Sequence, residues 1–447
     1  MFLWDEMYGS MTIVTSVFLT AVLIFPALSF AGAERVYREN KGSVTVVTAY
    51  NSAGQPLTEG TGFVVSKDGA IVTNYHVVGI AKAIKVRMGG RVLDVKGVMY
   101  GDKDNDLVIL KTNGKGMPAV RFGDSGTLRP GEKVYIMSGT EDAGVMMHEG
   151  IFKGTKKGIH GKKVLEIAAP VSHGTSGSAV FNADGKVIGI VTFFINRGHP
   201  RIWAMPVNLI TDRIKNGGRT VSVDRILKEY RTTPEYWFYL GYYLSEAGAH
   251  KDAAEVLGEA IRMKPGYADA YYYLGVASEK LNKHKEAERA YRKAVKAAPD
   301  FADAYFSLGV LYGKQGLYRE AAEALKQAVR YAPDFPDAYY SMGVAYGKLG
   351  MFRNSVEAYR QAVRLKPDFQ DAYFNLGIAC EKSGAYTEAA AAFQKLLTLR
   401  PDYAEAHYNL GMVYLVLQDK DSALSEYHIL KKLDPGLAGK LLKLIYH

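Results

Sequence analysis

A histidine, an aspartate and a serine in the first half of the chain carry the residue types of covalent acyl transfer. His76 lies within the run Thr73-Asn-Tyr-His-Val-Val78, Asp106 follows within Asp102-Lys-Asp-Asn-Asp-Leu-Val-Ile-Leu110, and Ser176, further along, is framed by glycines in Gly174-Thr-Ser-Gly-Ser-Ala179. A hydroxyl becomes a nucleophile when a neighbouring base takes its proton, and an imidazole base works best when a third group holds its tautomer. Taken singly, each residue has a plainer explanation. A histidine beside an apolar run is usually structural, an aspartate before a strand is usually a turn former, and a serine between glycines is usually part of a loop. Their order, their spacing and their common placement at strand–loop junctions are what join them into one site. No nucleotide or metal motif accompanies them, so no cofactor is expected.

The segments that must position these residues read as strands. From Val44 to about Pro206, short Val/Ile/Phe-rich runs alternate with Gly, Asp-Gly and Asn, and helical periodicity is absent. Gly62-Phe-Val-Val-Ser66, Ala70-Ile-Val-Thr73, Leu107-Val-Ile-Leu110, Lys133-Val-Tyr-Ile-Met137 and Lys186-Val-Ile-Gly-Ile-Val191 are spaced by turns, the pattern of an all-β barrel or sandwich. Val207 to Lys215 then reads as an amphipathic helix that stops at Gly217-Gly218, which is taken as the domain boundary, and a linker helix is expected around Val223 to Tyr230.

The motifs T-N-Y-H-V-V, D-N-D-L-V-I-L, G-T-S-G-S-A-V-F and V-I-G-I-V-T make residues 35 to 215 resemble the bacterial HtrA/Deg-type trypsin-like serine proteases. The resemblance implies a chymotrypsin-like double β-barrel, with His76 and Asp106 in the first barrel and Ser176 in the second. It makes Ser176 the nucleophile, His76 the general base and then acid, and Asp106 the residue that fixes the imidazole tautomer. The amides of Gly174 and Ser176 would form the oxyanion hole. Val171, Thr192, Phe193 and Phe194 match the walls of the specificity pocket. No aspartate stands at its base, so the pocket is expected to take aliphatic or small side chains, although Phe193 and Phe194 read equally as core aromatics. Ser178 and Ala179 stand where the family often has Gly and Pro, and no PDZ domain follows. Many members are trimers, so a homo-oligomer is among the implied states.

Beyond the boundary, prolines recur at Pro265, Pro299, Pro333, Pro367, Pro401 and Pro435, at one constant spacing with no insertion or deletion. Within each period an apolar residue precedes a glycine (Leu240-Gly241, Leu274-Gly275, Leu308-Gly309, Met342-Gly343, Leu376-Gly377, Leu410-Gly411), and a small residue follows on the next predicted helix (Ala253, Ala287, Ala321, Ser355, Ala389, Ala423). These features resemble six tetratricopeptide repeats over residues 231 to 434, each a helical hairpin whose small positions let the helices approach. Leu437 to Ile445 reads as a capping helix with Lys440 and Lys443 outward. The first helix of successive repeats carries Asp269, Asp303, Asp337, Asp371 and Glu405, each followed by an aromatic, Tyr272, Phe306, Tyr340, Phe374 and Tyr408. Two readings stand for these rings: the lining of a groove for an extended apolar and basic peptide, or packing between repeats.

The expected architecture is therefore multidomain: an all-β double barrel over residues 34–218, a linker over 219–230, an all-α repeat solenoid over 231–434, and a cap over 435–447. The chain has 447 residues and a formal charge of +10. Residues 34–219 hold 26 Lys+Arg against 16 Asp+Glu, while the remainder to His447 is nearly balanced at 30 against 28. The basic residues of the first half, among them Lys82, Lys85, Arg87, Lys156, Lys157, Lys162 and Lys163, are scattered without a binding motif, which argues for a solvated surface and against nucleic acid. Thr12 to Phe30 is uncharged and is followed by Ala31-Gly32-Ala33. Residues 1–33 thus read as a secretory signal or as an uncleaved membrane anchor, and the chain as exported to the periplasm or cell envelope. The single cysteine, Cys380, forms no internal disulfide and is expected to be a buried filler. Two functions compete. One is an ATP-independent serine endopeptidase acting on unfolded or partner proteins captured by the repeats. The other is a repeat-based scaffold or adaptor whose protease domain is latent or chaperone-like.

Overall fold

A computed structural model of the chain describes residues 32–157, 163–170, 174–192, 201–215 and 219–446. Of residues 1–33, read above as a signal or anchor, 1–31 lie outside the described residues, as do Gly217-Gly218. Residues 32–40 form a helix, α1, that the sequence reading did not anticipate. Six strands follow: β1 (Val44–Tyr50), β2 (Pro56–Val64), β3 (Ala70–Asn74), β4 (Ala83–Met88), β5 (Arg91–Asp102) and β6 (Leu107–Thr112). They close into a barrel in the order β1-β2-β3-β6-β5-β4. β3 is buried along its whole length and β6 everywhere but Lys111, which is why both read as unbroken apolar runs and not as alternating ones.

The second sheet is built from β7 (Arg121–Phe122), β8 (Lys133–Thr140), β9 (Gly144–Lys157), β10 (Lys163–Ala168), β11 (Ala179–Phe181), β12 (Lys186–Val191) and β13 (Arg201–Pro206). Its order is β11-β8-β9-β10-β13-β12-β7, and a β11–β12 pairing closes six of these strands into a second barrel, with β7 added in parallel on β12. Phe63, Val72, Leu107 and Ile109 of the first barrel share one apolar cluster with Met137, Ala179, Phe181 and Ile190 of the second, and Ala33 and Val36 of α1 join it. Two barrels around a common core match the double-barrel expectation.

The helices are α2 (Tyr75–Gly79), α3 (Asn208–Lys215), α4 (Val223–Tyr230), α5 (Pro234–Glu246), α6 (His250–Met263), α7 (Ala268–Lys280), α8 (His284–Ala297), α9 (Ala302–Lys314), α10 (Tyr318–Tyr331), α11 (Pro336–Lys348), α12 (Phe352–Leu365), α13 (Gln370–Ser383), α14 (Tyr386–Leu399), α15 (Ala404–Val416), α16 (Lys420–Leu433) and α17 (Pro435–Tyr446). α2 departs from the all-strand reading of this stretch: a single turn is too short to show helical periodicity, and a helix that short exists only where tertiary packing holds it. From α5 to α16 the helices form a run of paired hairpins, in agreement with a repeat solenoid.

The chain divides into two compact units between Met263 and Lys264. The first holds both barrels together with α4, α5 and α6, so the first hairpin packs within the same unit as the barrels. α4 is fastened to the first barrel by a bridge between Val98 and Val221, by Leu227 packed with Ala49 and Ala81, and by Tyr230, which fills the space where a Cβ on Gly79 would collide with its ring. Thr233 caps α5 by accepting the N–H of Tyr236, with Pro234 at the first helical position.

In the second unit the repeat glycines serve close approach. A Cβ on Gly275, Gly343 or Gly377 would lie 2.5–2.6 Å from the ring of Tyr291, Tyr359 or Phe393 on the partner helix of its hairpin. In the last repeat it is Leu441 of α17 that occupies the slot beside Gly411, while Lys440 and Lys443 stay exposed on the outer face. Cys380 is fully buried, and burial pushes its thiol up to about 12.

Candidate active site

The register of the first barrel brings His76 and Asp106 together. Asn74, the last residue of β3, stands opposite Leu107, the first of β6. The chain leaving β3 therefore meets the chain entering β6, and those two ends carry His76 on α2 and Asp106 in the β5–β6 turn. The Asp106 backbone is left-handed, at φ 56°, a conformation a non-glycine residue adopts only when its surroundings hold it. Here its carbonyl accepts from the Asn74 amide at 2.9 Å and from the Tyr75 backbone N–H at 3.1 Å.

That turn aims the carboxylate at the histidine. Asp106 Oδ1 accepts the backbone N–H of His76 at 2.9 Å, and Oδ2 lies 2.6 Å from His76 Nδ1. The His76 side chain is fully buried and the Asp106 side chain 15% exposed, a setting in which a charge-assisted hydrogen bond is short and strong. Oδ2 also accepts the hydroxyl of Thr192 at 2.8 Å. Thr192 is one of the residues expected in the wall of the specificity pocket, and its hydroxyl is taken up by the aspartate. The other three pocket residues, Val171, Phe193 and Phe194, lie outside the described residues.

Ser176 sits on the turn that precedes β11, and β2 holds that turn in place. The Thr61 N–H donates to the Ser176 carbonyl at 2.8 Å, and the Thr61 hydroxyl donates to the Gly174 carbonyl at 2.9 Å. Gly177, at φ 83°, lets the turn come so close that a Cβ would overlap the Thr61 carbonyl. A Cβ on Gly60 would touch both Val77 (2.7 Å) and the Ser176 carbonyl (3.1 Å). The residue after the histidine and the serine backbone are therefore separated by little more than one glycine. Ser178 N–H donates to the Thr175 carbonyl at 3.0 Å. In a trans peptide this turns the Ser176 N–H to the opposite side, away from the turn's interior. Gly174 takes φ 87°, which favours glycine.

Sequence reasoning missed two residues, and the contact of Thr192 with Asp106. Thr61 is one threonine in an ordinary strand. The second is Tyr239 of α5, whose ring stacks on His76 at 4.5 Å between centroids and 16° between planes. It lies far along the chain from the histidine, and no local pattern links the two.

The repeat aromatics are placed as follows. Tyr272 is fully buried and packs on Tyr291 and Phe301, so it lines no groove. Phe306 packs on Phe335, Tyr340 on Tyr359 and Phe369, and Phe374 on Phe393 and Tyr403; Tyr408 is half-buried against the capping cluster. The rings thus join consecutive hairpins. Among the described residues, no group of His, Cys, Asp and Glu is arranged to hold a metal ion, and no helix is long and apolar enough to cross a membrane.

Residues 60–190 match the trypsin-like peptidase domain family, and residues 240–301, 290–323, 314–350, 340–404 and 386–438 match tetratricopeptide-repeat families. The chain thus joins a trypsin-like peptidase domain, of the kind found in the DegP and HtrA proteases, to tetratricopeptide repeats. It is similar to a probable periplasmic serine endoprotease DegP-like of Marinomonas sp., 29% identical over 175 residues, which is 37% of this chain and 37% of that protein. It is also similar to the serine protease HTRA1 of Xenopus tropicalis, 33% identical over 154 residues (32% of this chain, 33% of that protein). A third relative is the anti-sigma-I factor RsgI9 of Acetivibrio thermocellus, 28% identical over 223 residues (48% of this chain, 31% of that protein). The chain spans about a third of the length of each of these relatives.

Proposed function

We propose that the chain is an exported, ATP-independent serine endopeptidase of the cell envelope, with Ser176 as nucleophile, His76 as general base and then acid, and Asp106 as the group that holds the imidazole. The observation that carries this reading is the double engagement of Asp106 with the backbone N–H and Nδ1 of His76. It fixes the tautomer with its proton on Nδ1, so proton transfer with Ser176 runs through Nε2. Attack by the serine oxygen on a peptide carbonyl would place negative charge on that carbonyl's oxygen, where the amides of Ser176 and Gly174 would meet it. Collapse would then expel the amine, protonated by His76, and water would hydrolyse the acyl-enzyme by the same steps. Side chains before the scissile bond would enter an apolar pocket walled by Val171, Thr192, Phe193 and Phe194, and the repeats would bring in unfolded or partner proteins. Export is supported by the DegP-like relatives, whose names call them periplasmic.

The test is hydrolysis of unfolded casein by the full chain beside Ser176→Ala. The wild type should cleave and the variant should not, and a fluorophosphonate should mark Ser176 alone. Equal cleavage by both proteins would overturn the assignment.

A further inference from the structure

We infer that the first repeat helix is an internal gate on the peptidase: Tyr239 of α5 occupies the place of substrate on the imidazole face of His76, and substrate binds only when it withdraws. The inference rests on the reading of His76 as the general base. Three observations lead to it. First, the two rings are nearly parallel with centroids 4.5 Å apart, which is contact distance. A peptide group slipped between them would need two such contacts in series, a separation of roughly 7–8 Å. Second, the His76 side chain has no exposed surface and Tyr239 retains only 9% of its own, so this face of the base is closed to anything arriving from solvent. Third, the closure is built from the helix that carries the base. Tyr75 and Gly79, on either side of His76 in α2, form the seat of Tyr230: the Tyr75 and Tyr230 rings lie 4.4 Å apart, and the Tyr75 hydroxyl donates to the Ile226 carbonyl at 3.1 Å. Arg231 donates to the Ala81 carbonyl at 3.2 Å.

α4 is thus anchored immediately around the catalytic histidine, and α5 begins shortly after α4 ends. Residues Arg231 to Thr233 are the joint about which α5 swings, with Thr233 tied by its hydroxyl to the Tyr230 carbonyl at 2.7 Å. Further along α5, Tyr243 lies close enough to the site to feel the charge of Asp106, with burial pushing its phenol up and hydrogen bonding to Thr58 opposing that shift. A ligand or partner that holds α5 away from His76 raises activity, because it binds the open population better than the closed one. The first repeat and the catalytic site are then two ends of one equilibrium.

The test compares full-length wild type, Tyr239→Ala, Tyr239→Leu, Tyr239→Phe and Ser176→Ala, each checked for its helical signal. It follows the rate of fluorophosphonate labelling at Ser176 and the hydrolysis of a short aliphatic peptide ester. Removing the ring should raise both rates by about tenfold or more. Leucine, which keeps apolar bulk for the helix but cannot stack, should give an intermediate rise, and phenylalanine, which keeps the stack, should track the wild type. The leucine and phenylalanine variants decide the matter if the alanine variant fails to fold. Unchanged rates in Ala and Leu overturn the gate while leaving the peptidase assignment standing. Rates that fall in Ala and Leu overturn it in favour of a Tyr239 that supports substrate or base. Absence of labelling in every folded variant removes the peptidase reading itself, and the gate with it.

Discussion

Beside His76, the hydroxyl of Thr192 donates to Asp106. Replacing Thr192 by valine keeps the shape and removes one hydrogen bond to a charged group, worth about 1.5–3 kcal/mol. If that bond steadies the carboxylate as positive charge builds on the imidazole, Thr192→Val should lower kcat by roughly tenfold to a hundredfold and leave KM for a short peptide ester nearly unchanged. A change confined to KM would mean that Thr192 acts on substrate binding and not through Asp106. His76, Asp106 and Ser176 stand out as candidates in the sequence because each sits in a short apolar or glycine-rich context of its own, and the structure brings His76 and Asp106 into contact. The sequence could not show Thr61, Tyr239 or the bond from Thr192 to Asp106, because a lone threonine or tyrosine carries no pattern and the partners of all three lie in remote parts of the chain.

At the scale of elements, legibility followed periodicity. A repeat of constant length and long apolar strands announce themselves, whereas the one-turn α2 and the register that sets Asn74 opposite Leu107 exist only after the barrel closes. The repeats also hold a buried acid. Asp269 near the start of α7 is 5% exposed, and one carboxylate oxygen has no hydrogen-bond partner among the described residues. Burial raises it from the ordinary 3.8 to about 6. The folded chain therefore keeps a proton between about pH 4 and pH 6 that the unfolded chain releases, so stability falls as pH rises through that window and is flat above it. Asp269→Asn should stabilise the helical transition at about pH 7.5 by on the order of 1–3 kcal/mol, with the gain fading by about pH 4. Urea midpoints at the two pH values would show it. An equal shift at both would mean that burial of charge is not the cause. By contrast, Gly377→Val should destabilise by about 1–3 kcal/mol, since the added side chain meets the Phe393 ring and the packed hairpin has no slack to move it.

For the whole molecule, where a cut is made decides what remains. The glycine pair at 217–218 reads as the natural boundary in the sequence, yet the first compact unit continues to Met263. A chain ending at Gly218 loses Leu227 and Tyr230, which are 2% and 1% exposed, and uncovers the apolar seat formed by Ala49, Ala81, Tyr75 and Gly79. At about 1.5–3 kcal/mol for each large side chain removed from its buried site, its barrels should be less stable than those of a chain ending at Met263 by several kcal/mol, on the order of 3–6. The two cuts also separate function. The Met263 chain retains Tyr239 on His76 and should label with fluorophosphonate as slowly as the full chain. The Gly218 chain lacks the ring and, at temperatures where it stays folded, should label faster despite its weaker fold. If the Met263 chain labels at the faster rate, closure depends on the later repeats. If both short chains match the full-length rate, α5 has no control over the base. A rise confined to the less stable chain would place control of the base in a single hairpin, with the remaining repeats left to take hold of proteins.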